Sequence, residues 1–248
     1  MTSLPYTLAE TRPPQLGMIV LQSDETLEHD LRRLLPEEAE LLVTRIPSAV
    51  TVSADSLGAM ARDLTVAASL LPRGADLSVV GFGCTSGTAQ IGAARIAELT
   101  REGVATKAVT DPVSALVAAC QHLGVSRLAL VSPYVEEVST RLMDVLAEAG
   151  ITITAFASFN EAEEEKVVRI APQSIIDAAR TTAAKAPCDA IFLSCTNLRT
   201  LDVIAPVEAE LGLPVLSSNL VLAWHMTRLA GLTPPRISAA LCGDKAGA

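Results

Sequence analysis

A chain of 248 residues can form one large or two small domains, and either buries a sizeable core. Half of its residues are apolar but only 3% are aromatic, so the core has to be built from Ala, Val, Leu and Ile, which suits a parallel α/β architecture. A net charge of −9 without any Lys/Arg block argues against nucleic acid, and no apolar run reaches the ~20 residues of a membrane span. The start, MTSLPYTLAETRPPQ, lacks the basic and apolar regions of a signal peptide, so the sequence predicts a soluble cytoplasmic protein.

In chain order, LGMIVLQ reads as a buried strand, DETLEHDLRRLLP as a helix stopped at Pro36, and AELLVTRIP as a second strand. Apolar residues at helical spacing predict a helix over Leu57 to Leu71, and ADLSVVGFGC is a third strand that delivers Cys84 at its carboxyl end. Residues 88 to 102 read as helix, VATKAVTDP as strand, and PVSALVAACQHLG as a helix ending at Gly124. The order then recurs. SRLALVSP, ITITAFASF, CDAIFLSC and LPVLSS are strands, separated by helices at Glu136 to Ala149, Gln173 to Lys185 and the short VEAELG, with a final helix to Gly231. Strands alternating with helices imply right-handed crossovers and a largely parallel sheet.

The recurrence has a fixed register. Cys84 and Cys195 lie 111 residues apart, and LVSPYVEEV falls on IVLQSDETL at the same offset. KAVTDPVSALVAACQHLGV matches PVLSSNLVLAWHMTRLAGL at an offset of 107, the drift of one loop deletion. Residues 15–125, with the C-terminal helix expected to pack across, and 126–232 therefore read as two copies of one β/α unit. Pseudo-twofold symmetry would bring equivalent strand ends face to face. Ligands of open α/β sheets bind outside those ends, which puts Cys84 and Cys195 across one cleft.

The five cysteines, at 84, 120, 188, 195 and 242, form no C-x-x-C pair, and His29, His122 and His225 stand apart from them. Neither a disulfide framework nor a zinc site is indicated, and Cys120, Cys188 and Cys242 read as inert small hydrophobes. Cys84 in GFGCTSGTAQIG and Cys195 in FLSCTNLRT are different, because hydroxyls, an amide and a glycine surround strand-end thiols ahead of helices. Two thiols on opposite sides of a bound carbon suit racemisation or cis–trans isomerisation without a cofactor. The chain shows no P-loop, no G-x-G-x-x-G after its first strand and no Schiff-base lysine in an apolar setting.

On these motifs the chain resembles the aspartate/glutamate racemase superfamily, in the branch of maleate cis-trans isomerases and arylmalonate decarboxylases. GCTSGT and LSCTNLRTLD are similar to that branch's two cysteine loops, and LGMIVLQSDETLE resembles the first turn of ectoine-utilisation protein A. The resemblance implies two flavodoxin-like halves with the site between them, a homo-oligomer, a small carboxylate substrate and no cofactor or metal. It implies Cys84 and Cys195 as the catalytic pair, and the retention of Cys84 speaks against decarboxylation, whose enzymes carry glycine there. Tyr134 and Asn160 match positions that bind or orient substrate, and Thr85, Ser86, Thr196 and Asn197 would supply two carboxylate cradles. Asp24 departs from the asparagine of maleate isomerases. A carboxylate there repels a substrate carboxylate unless protonated or paired; it can instead receive an ammonium, assist Cys84, or cap the following helix. The acidic stretch Glu161 to Glu165 reads as a solvated helix start, and His225 as a core or surface residue of the last helix.

Overall fold

The structure, a computed structural model, describes residues 3–235 and 237–243. Its eight strands make two parallel sheets of four. In the first, β1 (Gln15–Leu21), β2 (Glu40–Ile46), β3 (Leu77–Gly83) and β4 (Thr106–Thr110) lie in the order β2-β1-β3-β4. In the second, β5 (Arg127–Ser132), β6 (Thr152–Ser158), β7 (Ala190–Leu193) and β8 (Val215–Ser217) lie in the order β6-β5-β7-β8. The two orders are the same when the second is counted from its own first strand, and both follow the start of the flavodoxin-like 2-1-3-4-5 arrangement. Both sheets also carry one register shift on their first strand, between Gln15 and Leu16 in one and between Leu128 and Ala129 in the other.

The central strands are covered on both faces. Every residue of β1 and of β7 is buried, as expected for parallel strands written as continuous apolar runs. The covering helices are α1 (Leu27–Leu34), α2 (Ala54–Ala59), α3 (Leu64–Ser69), α4 (Thr85–Ile91), α5 (Ala93–Gly103) and α6 (Pro112–Leu123) in the first half. The second half contributes α7 (Glu136–Glu148), α8 (Glu164–Val167), α9 (Pro172–Ala183), α10 (Leu201–Leu211) and α11 (Ser218–Leu229). Helix α11 leaves β8 to pack against α6, β3, β4 and α1, so the last described helix completes the core under the first sheet. Trp224 on it is buried, and His225 bonds Thr110 Oγ1 through Nδ1 at 2.7 Å. Among the described residues no helix is long and apolar enough to cross a membrane.

Four helix boundaries differ from the sequence reading. The helix expected from Asp24 starts at Leu27, because the Asp24 carboxylate takes the N–H groups of Thr26 and Leu27. The helix expected over 57 to 71 is three pieces: α2, a 3₁₀ turn at Met60–Arg62, and α3. The helix expected over 88 to 102 starts earlier and breaks at Gly92, whose φ of +91° no ordinary side chain adopts comfortably. Helix α10 begins at Leu201 rather than at Val207 and carries Pro206 within it.

Candidate active site

Each cysteine is placed by a strand end. Cys84 follows β3 as the N-cap of α4, with extended backbone (φ −153°, ψ 112°), and its Sγ accepts the Gly87 N–H at 3.1 Å. A Cβ on residue 87 would sit 2.9 Å from that sulfur and 2.7 Å from Met60 Cε, so glycine is what allows the amide this close. Cys195 follows β7 with φ +105°, a backbone that L residues rarely adopt and that costs ~1–3 kcal/mol. Strain of this kind gathers where a side chain has to be aimed.

Ser218, at the start of α11, ties the two loops together. Its Oγ accepts the Cys195 N–H at 3.0 Å and lies 2.7 Å from Thr85 Oγ1, all three residues being buried. Thr196 Oγ1 donates to Gly83 O at 3.2 Å, a second bond between the β7 end and the β3 end. The offset that pairs Cys84 with Cys195 thus becomes contact in space. Both thiols line one narrow cleft, with Leu21, Ser23, Asp24, Thr85, Ser86, Tyr134, Glu164, Thr196 and Asn197 as the other walls. A second narrow pocket shares Leu21, Ser23 and Glu164 with it and runs toward Val52, Leu57 and Met60.

Cys195 heads a hydrogen-bonded chain. Tyr134 Oη lies 3.0 Å from Cys195 Sγ and donates to Glu164 Oε1 at 2.6 Å, while Glu164 Oε2 accepts Asn197 Nδ2 at 2.8 Å. In the contact between the Tyr134 hydroxyl and Cys195 Sγ either group can donate, and when the sulfur is a thiolate the hydroxyl is the donor. The Asn197 N–H reaches back to Cys195 Sγ at 3.3 Å, and Asn197 Oδ1 accepts the Glu25 N–H at 2.9 Å. The Asn197 amide expected to cradle substrate is therefore occupied at both ends. It fastens the second cysteine loop to the first turn.

Glu164 corrects the sequence reading of its neighbourhood. Within the stretch taken for a solvated helix start it is 5% exposed and is a wall of the cleft. Val167 and Val168, three and four residues on, are also buried, so all three share one helix face. That phase was the available signal. Asn160, by contrast, is not brought to the cleft: it is exposed at φ +53°, its N–H given to Ser158 Oγ at 2.8 Å. The chain turns outward there before the Thr51–Glu163 bridge draws it back and seats Glu164.

Asp24 is 3% exposed, and its two carboxylate oxygens have different settings. Oδ1 accepts the N–H groups of Thr26 at 2.8 Å and Leu27 at 2.7 Å, which holds the first turn. Oδ2 is buried in the cleft wall with no hydrogen-bond partner, the nearby Thr196 hydroxyl being turned to Gly83 O. An unpartnered buried carboxylate oxygen is costly in a finished structure.

The titration behaviour follows from burial. Burial pushes the Cys84 thiol up to about 12, against the Gly87 N–H, and the Glu164 and Asp24 carboxylates add to the rise. Burial likewise raises the Cys195 thiol, with Glu164 adding and the Tyr134 hydroxyl opposing. Burial raises Glu164 against the hydrogen bonds from Tyr134 and Asn197, and raises Asp24 against the Leu27 and Thr26 N–H groups. No Lys, Arg or His lines the cleft, and the rise of Asp24 is also opposed by the Thr196 hydroxyl and by the charge of Arg45 outside it. Cys120 is buried, while Cys188 and Cys242 are half-buried, all away from the cleft. Among the described residues no three His, Cys, Asp or Glu side chains gather so as to hold a metal ion.

Two like-ordered parallel sheets with a strand-end cysteine from each meeting in one cleft place the chain in the aspartate/glutamate racemase superfamily. Within it, the chain belongs to the arylmalonate decarboxylase family, whose model matches residues 51–240. It is 37% identical over 123 residues to arylmalonate decarboxylase of Bordetella bronchiseptica, a match over 49% of this chain and 51% of that one. The maleate isomerase of Geobacillus stearothermophilus is 26% identical over 219 residues, 82% of this chain and 86% of that one. The crystal structure of a liganded arylmalonate decarboxylase double mutant, glycine to cysteine and cysteine to serine, superposes with a TM-score of 0.83. It is 29% identical and covers 92% of this chain and 98% of its own.

Proposed function

We propose that the protein is a cofactor-independent isomerase of a small carboxylate in which Cys84 and Cys195 act as an opposed pair. The observation that carries this reading is the meeting of both thiols in one cleft, tied by the Cys195 N–H–Ser218–Thr85 bridge. One thiolate removes a proton from the substrate carbon, or adds to a double bond, and the other thiol delivers a proton from the far face. Thr85, Ser86 and Thr196 contribute hydroxyls to the carboxylate, Asp24 and Glu164 set the charge of the opposite wall, and Tyr134 holds Cys195 in place. The maleate isomerases among its relatives support the isomerase class. The resemblance of the first turn to ectoine-utilisation protein A adds a role in ectoine breakdown, which a survey of neighbouring genes tests, and the homo-oligomer it implies is tested by light scattering.

Decarboxylation is the second reading, favoured by the family's name and the 37% identity to arylmalonate decarboxylase. It requires an apolar pocket for the leaving carboxylate, whereas this cleft holds two carboxylates and two thiols. The deciding experiment follows maleate, amino acids of both hands and phenylmalonate in D₂O by NMR, with the native chain, Cys84→Ala and Cys195→Ala. Isomerisation or deuteration lost in both variants supports the two-thiol reading. Carbon dioxide release that survives Cys84→Ala replaces it with decarboxylation.

A further inference from the structure

Seven large apolar side chains stand exposed among the described residues, and five of them fall in two places. Leu4, Tyr6 and Leu8 are each at least 80% exposed, on an N-terminal arm over residues 3–13 in which every residue faces solvent. Val66 and Leu70, 64% and 69% exposed, stand four positions apart on α3 and its C-cap, and so share one helix face. Single exposed apolar residues such as Val50 and Leu229 are ordinary, but sets of this kind mark an interaction surface.

The root of the arm brings the two sets near each other. Arg12 Nη1 donates to Gly74 O at 2.7 Å, and Pro14 O accepts the Glu40 N–H at 2.9 Å, so the arm is fixed where it meets β1. Gly74 lies four residues after Leu70, at most about 14 Å along the chain. Residues 3–9 still form no helix, strand or turn, and they leave Val66 and Leu70 of their own copy bare. The apolar face closest to the arm in its own chain is thus not its seat. Pro5 and the pair Pro13 and Pro14 favour extended backbone, in which residues 4, 6 and 8 face one way.

We infer that the arm seats on the α3 face of a second copy of this chain, whose own arm seats on this one in return. Arm root and receiving face are adjacent in each copy, so a twofold axis beside α3 makes both contacts at once and closes the pair as a dimer. Charge agrees with this pairing. Among the described residues Glu10 on the arm enters no ion pair, and neither do Arg62 and Arg73, which flank α3. Size argues for exchange rather than a one-sided contact. At roughly 100 Å² for each aliphatic side chain and 200 Å² for the tyrosine, the apolar sets of two copies withdraw on the order of 1,000 Å² before any arm backbone is counted. With the backbone that enters the ~1,200–2,000 Å² of a specific interface, whereas a single arm supplies half and falls short. None of these residues lines the cleft, so the inference stands apart from the two-thiol chemistry and gives the expected homo-oligomer its interface.

The test is sedimentation equilibrium of the full chain, of an arm variant (Leu4→Ser, Tyr6→Ser, Leu8→Ser) and of a face variant (Val66→Ser, Leu70→Ser), alone and mixed one to one. All five positions are exposed, so both variants should keep the native circular dichroism; if one does not, the other decides alone. The native chain is expected to be a dimer, and each variant to dissociate at least tenfold more readily. The mixture should recover part of the lost affinity. It restores one intact contact, the arm of the face variant on α3 of the arm variant, which a general loss of stability cannot imitate. A monomeric native chain overturns the inference and the homo-oligomer together. A dimer that either variant leaves intact keeps the homo-oligomer but overturns the inference, and so does a mixture no tighter than its components.

Discussion

Replacing Ser218 by alanine removes one oxygen and leaves two buried groups without their partner. The Cys195 N–H loses its acceptor at 3.0 Å, and the Thr85 hydroxyl loses its contact at 2.7 Å. Each residue involved is at most 3% exposed, so water does not replace the missing oxygen. An unsatisfied buried N–H costs about 1–3 kcal/mol, and the lost hydroxyl contact about 1 kcal/mol more. The bond also opposes the strain at Cys195, whose φ of +105° is held by its surroundings. The expected loss is about 2–4 kcal/mol, which for a chain of this length lowers Tm by about 4–16 °C. Differential scanning calorimetry measures this, and the rate of Cys195 alkylation by iodoacetamide, read by peptide mass spectrometry, should change because the sulfur is no longer aimed. An unchanged Tm with an unchanged alkylation rate would refute the claim that Ser218 fixes the second cysteine.

Three further outcomes follow from the same geometry. Cys195→Gly should be more stable than Cys195→Ala by about 1–2 kcal/mol in urea unfolding, since only glycine accepts φ +105° without strain. Asn197→Ala strips the Glu164 Oε2 and the Glu25 N–H of their partners and should cost about 3 kcal/mol or more, of which the double variant with Glu164→Gln recovers only the Glu164 part. The Cys84 thiol, ordinarily at 9.0, is pushed up to about 12 in the fold, so the folded state is the weaker acid. Its contribution to stability is whole below pH 9 and is lost as the pH rises toward 12. The urea midpoint of Cys84→Ala should therefore fall less between pH 8 and pH 10.5 than that of the native chain.

Much of this architecture is legible in the sequence, for identifiable reasons. Parallel strands are buried on both faces, so GMIVL and AIFL announce themselves as apolar runs, and the 111-residue offset between the cysteines survives as the matched order of two sheets. Asp24, Cys84, Thr85, Ser86, Tyr134, Cys195, Thr196 and Asn197, singled out from the cysteine motifs and from the family resemblance, line one cleft. What stays hidden depends on contacts distant in sequence. Glu164 sits in an acidic run that reads as solvated, and it is buried by Tyr134, thirty positions before it, and Asn197, thirty-three after. Ser218 looks like any helix-start serine until α11 carries it between the two cysteine loops. Asn160 had the right residue type, but the loop after β6 turns its side chain to solvent and offers Glu164 instead.

The central claim is that two thiols serve the two faces of one carbon. It is tested most directly by starting the reaction in D₂O from a single hand of whichever chiral carboxylate is turned over and following early turnover by NMR and chiral chromatography. With two opposed thiols, the product hand acquires deuterium from the far-side thiol while the remaining substrate stays protiated, and neither Cys84→Ala nor Cys195→Ala interconverts the hands. Equal deuteration of substrate and product, or interconversion that persists with one cysteine removed, would show a single base at work and contradict the account.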